Sequence, residues 1–188
     1  MTPRLIRAAD CPPQPWKNGL GLTREIARFP ADADASSYLW RVSVAEVDSA
    51  APFSAFPGID RHIVLLDGAG FDMTLDGERS HPLRTPLQPF AFPGEAAVEV
   101  ALAGGATRDF NLMVRRAQAQ GSVSAHATPG RHQPEPSCVL VYAAQGQVTT
   151  AQGVLEAGDA WLADGQAIEL GSGAKVLLVQ ITVFATSL

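Results

Sequence analysis

The sequence is short of most of the groups on which catalytic and redox chemistry is built. It has only two cysteines, Cys11 and Cys138, too few for a disulfide framework or a cysteine-held zinc cluster. Cys11 is followed by two prolines and has no histidine near it in sequence, which does not describe a nucleophile. The four histidines, His62, His81, His126 and His132, include no pair two residues apart, so no bound catalytic metal and no cofactor is expected. The nucleophile elbow G-x-S-x-G, the fingerprint G-x-G-x-x-G and the P-loop are missing too. Lysine occurs twice, at Lys17 and Lys175, and no run of five Lys or Arg interrupts a net charge of -5, which argues against a nucleic-acid-binding face. No apolar run approaches the eighteen or so residues of a membrane span, and the N-terminal MTPRLIRAADCPPQPWKNG lacks an apolar stretch of signal-peptide length. The expectation is a soluble, cytoplasmic protein.

What the chain does have is short, alternating apolar runs. With 46% hydrophobic and 18% charged residues it is globular in composition, and its 188 residues suit one domain or two small fused halves. Apolar and polar residues alternate in 39–47, 59–66, 98–102, 109–115, 138–143 and 176–184, separated by many of the 17 glycines and 14 prolines. Such segments predict strands of a sandwich or barrel, with almost no helix. IVLLDGAGFDMTLDG (63–77) and VLVYAAQGQVTTAQG (139–153) form a weak repeat that aligns Gly70 with Gly146 and Gly77 with Gly153. Each copy then runs to an aromatic near a turn, Phe92 or Trp161, and ends on a further strand. The fold class expected is all-β: a bicupin of two stacked cupin-type barrels. The divisions are an N-terminal half over 1–117, a linker over 118–136 and a C-terminal half over 137–188.

The halves differ in chemistry. After Arg131 the only Lys or Arg is Lys175, whereas the first half holds PWKNGLGLTREI (15–26), WRVSVAEV (40–47), PFSAFPGIDR (52–61) and DFNLMVRR (109–116). The only asparagines, Asn18 and Asn111, fall inside these segments. Period two places Arg41 with Ser43, Thr23 with Glu25 (opposed by Arg24), and Asp109 with Asn111, Met113 and Arg115. Several strands with a polar face opposite an apolar one fit a polar-lined pocket. Lys17, Arg24, Arg41 and Arg61 are candidate cations, not all of them pointing inward; Asn18, Thr23, Ser43, Ser54 and Asn111 are candidate hydrogen-bonding groups; Trp16, Phe53 and Phe92 are candidate walls. This set suits a small carboxylate, because arginine matches a carboxylate with two parallel hydrogen bonds. Glu25 and Asp109 would hold the cations in place, or pair them into a purely structural network.

These motifs, with the FPG at 92–94, resemble the HutD/Ves family, over most of the first half of the chain. Leu20 stands where the family more often has a small residue, and Ala51 where it often has glycine. The resemblance implies a bicupin fold, association with bacterial histidine-utilisation genes and no established catalysis. It further implies a regulator that binds an intermediate such as urocanate or N-formylglutamate, both small anionic metabolites. The C-terminal half would be scaffold or the surface of a homodimer. Two rival expectations are a metal-independent isomerase or hydrolase, with Glu25 or Asp109 as base and Arg61 stabilising an oxyanion, and a protein-interaction module with no small ligand.

Overall fold

A computed structural model describes residues 2–16, 19–34, 36–50, 52–163 and 165–185, so Lys17, Asn18 and Ala51 lie outside the described residues. The described chain is built from antiparallel strands, with a single three-residue 3-10 turn at Ala8–Asp10. Each run read from alternation is a strand: Trp40–Val47, Ile59–Asp67, Val98–Leu102, Thr107–Arg115, Cys138–Gln145 and Lys175–Val183. The chain divides into two compact units, residues 12–120 and residues 1–11 with 121–188.

In the first unit, a six-stranded sheet runs in the order Pro13–Pro15, Gly21–Phe29, Trp40–Val47, Thr107–Arg115, Ile59–Asp67, Pro89–Pro93. A three-stranded sheet, ordered Arg79–Leu83, Phe71–Leu75, Val98–Leu102, faces it. Ile63, Leu65 and Phe92 of the large sheet pack with Phe71, Met73, Leu75, Leu83, Val98 and Val100 of the small one. This apolar cluster fills only part of the interior. Two residues before Ile63 on the same strand face stands Arg61, and there the lining turns polar.

The second unit repeats the plan. Its five-stranded sheet is ordered Arg4–Ile6, Ala160–Leu162, Cys138–Gln145, Lys175–Val183, Ala119–His126, and its four-stranded sheet Gly130–His132, Ile168–Leu170, Val148–Thr150, Gly153–Leu155. Its core joins Val141, Trp161, Val176 and Leu178 to Val148, Leu155, Ile168 and Leu170. The glycines aligned by the repeat do the same work in both units. Gly70 and Gly146 follow the first long hairpin strand at φ of +73° and +69°, where a Cβ would stand 2.0 Å from the Leu83 carbonyl oxygen and 2.9 Å from the Ala174 Cα. Only glycine fits such a turn.

Two boundaries differ from the sequence reading. The expected linker, 118–136, holds the strands Ala119–His126 and Gly130–His132. Its period is present in A-Q-G-S-V-S-A-H, but the inward residues are so small that the alternation carries little hydrophobic contrast. The expected N-terminal half also gives up its first residues. Arg4–Ile6 pairs antiparallel with Ala160–Leu162, and Asp159 fastens the turn behind it, accepting from Arg7 Nη1 at 2.6 Å and from the Ala8 amide at 2.9 Å. A three-residue strand has no readable period; it forms because the sheet edge offers unpaired backbone groups.

Candidate functional site

The polar end of the first unit's interior opens into a cavity of about 500 Å³. Four strands supply its charged and hydrogen-bonding lining: Thr23 from Gly21–Phe29, Arg41 and Ser43 from Trp40–Val47, Arg61 from Ile59–Asp67, and Asp109, Asn111 and Met113 from Thr107–Arg115. Their convergence follows from register. Asn111 stands opposite Ser43 on one neighbour and Ile63 on the other, and Met113 opposite Arg41 and Arg61. Cross-strand partners project from the same face, so one parity brings all of them inward.

Trp16 and the 52–56 segment wall the cavity. Trp16 donates its indole N–H to Thr23 Oγ1 at 2.7 Å, and its backbone N–H to the Gly21 carbonyl at 2.9 Å. Gly21 is required here, because a Cβ would stand 3.0 Å from the Trp16 ring and 2.8 Å from the Glu46 carbonyl oxygen. Phe53 is tied by its amide to the Val98 carbonyl (2.9 Å), and Phe56 to that of Gly94 (2.7 Å), which explains the FPG motif beside the site. Phe53, Ser54 and Phe56 all reach the lining.

Arg61 is the centre of the arrangement. It is 6% exposed, yet among the described residues it makes no ion pair: its one hydrogen bond runs from Nη2 to Asn111 Oδ1 at 3.0 Å, and its buried Nε–H has no acceptor. Three phenyl rings flank the guanidinium, with centroids 5.0 Å (Phe53), 5.5 Å (Phe56) and 4.9 Å (Phe92) from its central carbon. Those faces attract a cation, but they cannot replace an anion. Burial lowers the Arg61 pKa to about 10, against the pull of Asp109, so the side chain is still a cation at neutral pH.

Asp109 is the other unusual group. It is 1% exposed; Oδ1 accepts from Asn111 Nδ2, and Oδ2 has no donor among the described residues. Desolvation pushes its carboxyl up to about 7, and the Asn111 hydrogen bond and the Arg61 charge only partly oppose that rise. Asn111 therefore stands as a neutral amide between a buried cation and a buried acid. Arg41 is differently placed. It also lines the cavity, but its Nε donates to Glu25 Oε2 at 2.6 Å, and Glu25 Oε1 accepts from Arg28 Nε at 2.6 Å. With both oxygens engaged by arginines, Glu25 is poorly suited to act as a general base.

The candidates named from the sequence thus separate. Trp16, Thr23, Arg41, Ser43, Phe53, Ser54, Arg61, Asp109 and Asn111 line the cavity. Glu25 stands behind it on Arg41, and Phe92 beneath the Arg61 guanidinium. Arg24 does not join them: it lies on the opposite face of its strand, 3.4 Å from Glu46, as alternation from Thr23 demands. Lys17 and Asn18 lie outside the described residues. Sequence reasoning missed Phe56 and Met113 as cavity residues. Phe56 sits in a loop, where no period assigns a face, although it belongs to the PFSAFPG segment that supplied Phe53. Met113 shares the face of Asn111, and period two marks it. Among the described residues, no group of three His, Cys, Asp or Glu side chains is placed to hold a metal ion, and no helix is long and apolar enough to cross a membrane.

Comparison with known proteins matches residues 8–180 to the family model described as HutD. An uncharacterised 21.2 kDa protein in the hutC 3' region of Pseudomonas putida is 39% identical over 145 residues, covering 77% of this chain and 75% of that one. Protein Ves of Escherichia fergusonii is 41% identical over 101 residues, 53% of this chain and 51% of its own. Among solved structures, HutD from Pseudomonas fluorescens (formate condition) is 32% identical with a TM-score of 0.85, covering 98% of this chain and all of that one. A bacterial pirin from Escherichia coli, solved in complex with nickel(II), shares the cupin-like fold alone: 10% identity and a TM-score of 0.62 over 95% of this chain and 98% of its own.

Proposed function

Since the chain belongs to the HutD family, we propose that its first unit is a receptor for a small carboxylate and that the occupied protein acts in regulating histidine utilisation. The observation that carries this reading is Arg61: a buried guanidinium beside a cavity, with a neutral amide as its one hydrogen-bonding partner and no carboxylate as counter-ion among the described residues. A buried cation without an anion is costly, and a ligand carboxylate would supply the anion with two parallel hydrogen bonds. The cavity, about 500 Å³, has the size of a metabolite site, and its apolar walls with few polar groups fit that use. Urocanate and N-formylglutamate are the acids to test first, given the hutC-region relative.

The test is thermal unfolding of the protein and of Arg61→Met, with urocanate, N-formylglutamate, histidine and formate titrated separately. A ligand at a hundred times its dissociation constant stabilises by roughly 2.7 kcal/mol, a rise of roughly 5–10 °C for a chain of this size. The expected result is a concentration-dependent rise with one of the acids that is lost in Arg61→Met. If a cooperatively melting protein shows no rise with any of them, the reading is wrong and the search moves to protein partners.

A further inference from the structure

We propose that the pocket takes up its carboxylate together with a proton held on Asp109, with Asn111 as the group that couples the two. The inference rests on the carboxylate-binding reading above and concerns what happens behind the ligand.

The geometry at Asp109 favours the acid over the anion. An ionised carboxylate offers about four acceptor sites, and here one donor, Asn111 Nδ2, serves a side chain sealed from solvent, with Oδ2 left bare. Among the described residues no cation forms an ion pair with it. The groups on its side of the sheet are Arg61 on the Ile59–Asp67 strand, Arg41 on the Trp40–Val47 strand with Glu25 beside it on Gly21–Phe29, and Arg115 farther along its own strand. Tyr38 packs nearby, its hydroxyl on Met113 Sδ at 3.5 Å. His62 stands opposite Leu112 and so faces away. Arg41 is compensated by Glu25, and Arg115 is bonded to the carbonyls of Ser36 and Tyr38. Among the described residues, Arg61 is thus the one charge that draws Asp109 toward its anion, and it acts across Asn111.

A ligand carboxylate on Arg61 cancels that attraction. It neutralises the guanidinium and brings a second negative charge close to Asp109, so the occupied pocket holds the Asp109 proton more firmly than the empty one. Linkage makes the effect reciprocal: a protonated Asp109 strengthens carboxylate binding by the same factor. Asn111 fits the coupling role because its carbonyl oxygen accepts from Arg61 while its amide donates to Asp109. An aliphatic residue at 111 would leave Arg61 and Asp109 without the side-chain hydrogen bonds that Asn111 gives them. The only bond formed is the O–H of Asp109, whose proton is given up by a solvent or buffer acid as the anion enters.

N-formylglutamate and formate are suitable probes, since neither titrates between pH 6.5 and 8.5 (about two units or more above a carboxylic acid's range). Calorimetric titration at pH 6.5, 7.5 and 8.5, in phosphate and in Tris, reads affinity and counts protons through the buffers' different ionisation heats. The expected result is affinity that changes little below neutrality, a fall of roughly four- to twenty-fold toward pH 8.5 (the ordinary range of such coupling, limited because one proton gives at most tenfold per pH unit) and fractional proton uptake at pH 7.5. Asp109→Asn should bind with little pH dependence and no uptake. Wild-type affinity that is constant with pH, or zero proton uptake, overturns the inference while leaving carboxylate binding intact, and the wild type alone suffices to show it. An equal slope in Asp109→Asn overturns it as well. No binding of either probe at any pH overturns the carboxylate-receptor reading itself, and the inference falls with it.

Discussion

Asp109 should leave a mark on stability even with the pocket empty. The carboxyl titrates near 7 in the folded chain and near 4 when unfolded. Between those values only the folded state holds the proton. Folding then takes up a proton, so stability falls as pH rises from about 4 to about 7 and levels off above that. A shift of about three units corresponds to roughly 4 kcal/mol at most, a large share of the net stability of an ordinary domain. Other carboxyls pull the other way: hydrogen bonds from Arg116 and Ser36 hold Glu95 and Asp34 at about 2, so their contributions are lost only in strong acid. The comparison that isolates Asp109 is therefore between proteins. Urea unfolding of the wild type and of Asp109→Asn at pH 5 and pH 8 gives two differences in stability. The substitution should be about 2–3 kcal/mol more favourable at pH 8 than at pH 5, whatever its absolute cost, because Asn cannot ionise. Equal differences at the two pH values would refute the claim that this carboxyl is sealed in and poorly solvated.

Further outcomes follow from the same geometry. Arg61→Met should leave stability at pH 6 within about 1 kcal/mol of the wild type or raise it, because the replaced cation has no ion-pair partner among the described residues; urea unfolding checks this, and a loss of about 3 kcal/mol or more would mean that Arg61 holds the unit together. Glu25→Gln should cost about 1–2 kcal/mol through its two charge-assisted bonds to Arg28 and Arg41, read in the same way. Arg24→Ala should leave ligand-induced shifts in melting temperature unchanged, since Arg24 faces away from the cavity. Gly70→Ala should destabilise by at least about 2 kcal/mol more than Gly77→Ala. Both glycines have positive φ, but a Cβ at Gly77 meets nothing within 4 Å while one at Gly70 runs into Leu83.

Much of the architecture was legible because alternation and turn chemistry are local. The 40–47 and 109–115 runs gave the strands, and their parity also gave the inward set Arg41, Ser43, Asp109 and Asn111, which the register then aligned. The cupin character came through the glycine-marked hairpins at 70 and 146. What sequence could not give was pairing at a distance. Nothing in R-L-I announces that Arg4–Ile6 adds to the strand at Ala160–Leu162. Nor can a sequence say which cation is spoken for. Alternation already sets Arg24 apart, but Arg41 and Arg61 are equivalent on paper; in the fold, Glu25 stands beside the first, and among the described residues only an amide bonds the second. The burial that makes Asp109 unusual is likewise a property of the closed pocket and leaves no trace in its neighbours along the chain.

The antiparallel pairing of Arg4–Ile6 with Ala160–Leu162 has a consequence in time. A ribosome makes the first of these strands roughly 150 residues before the second, and at 5–20 residues per second that delay is on the order of 10–30 s. By the last part of that interval the 12–120 unit has every strand it needs, while the leading strand still waits for a mate not yet translated. The first unit can therefore be finished, cavity included, before the second can close. Nascent chains arrested after residue 120 has left the ribosome's exit tunnel, but before Ala160 has, should already protect the 12–120 unit from proteolysis while residues 1–11 remain open to cleavage.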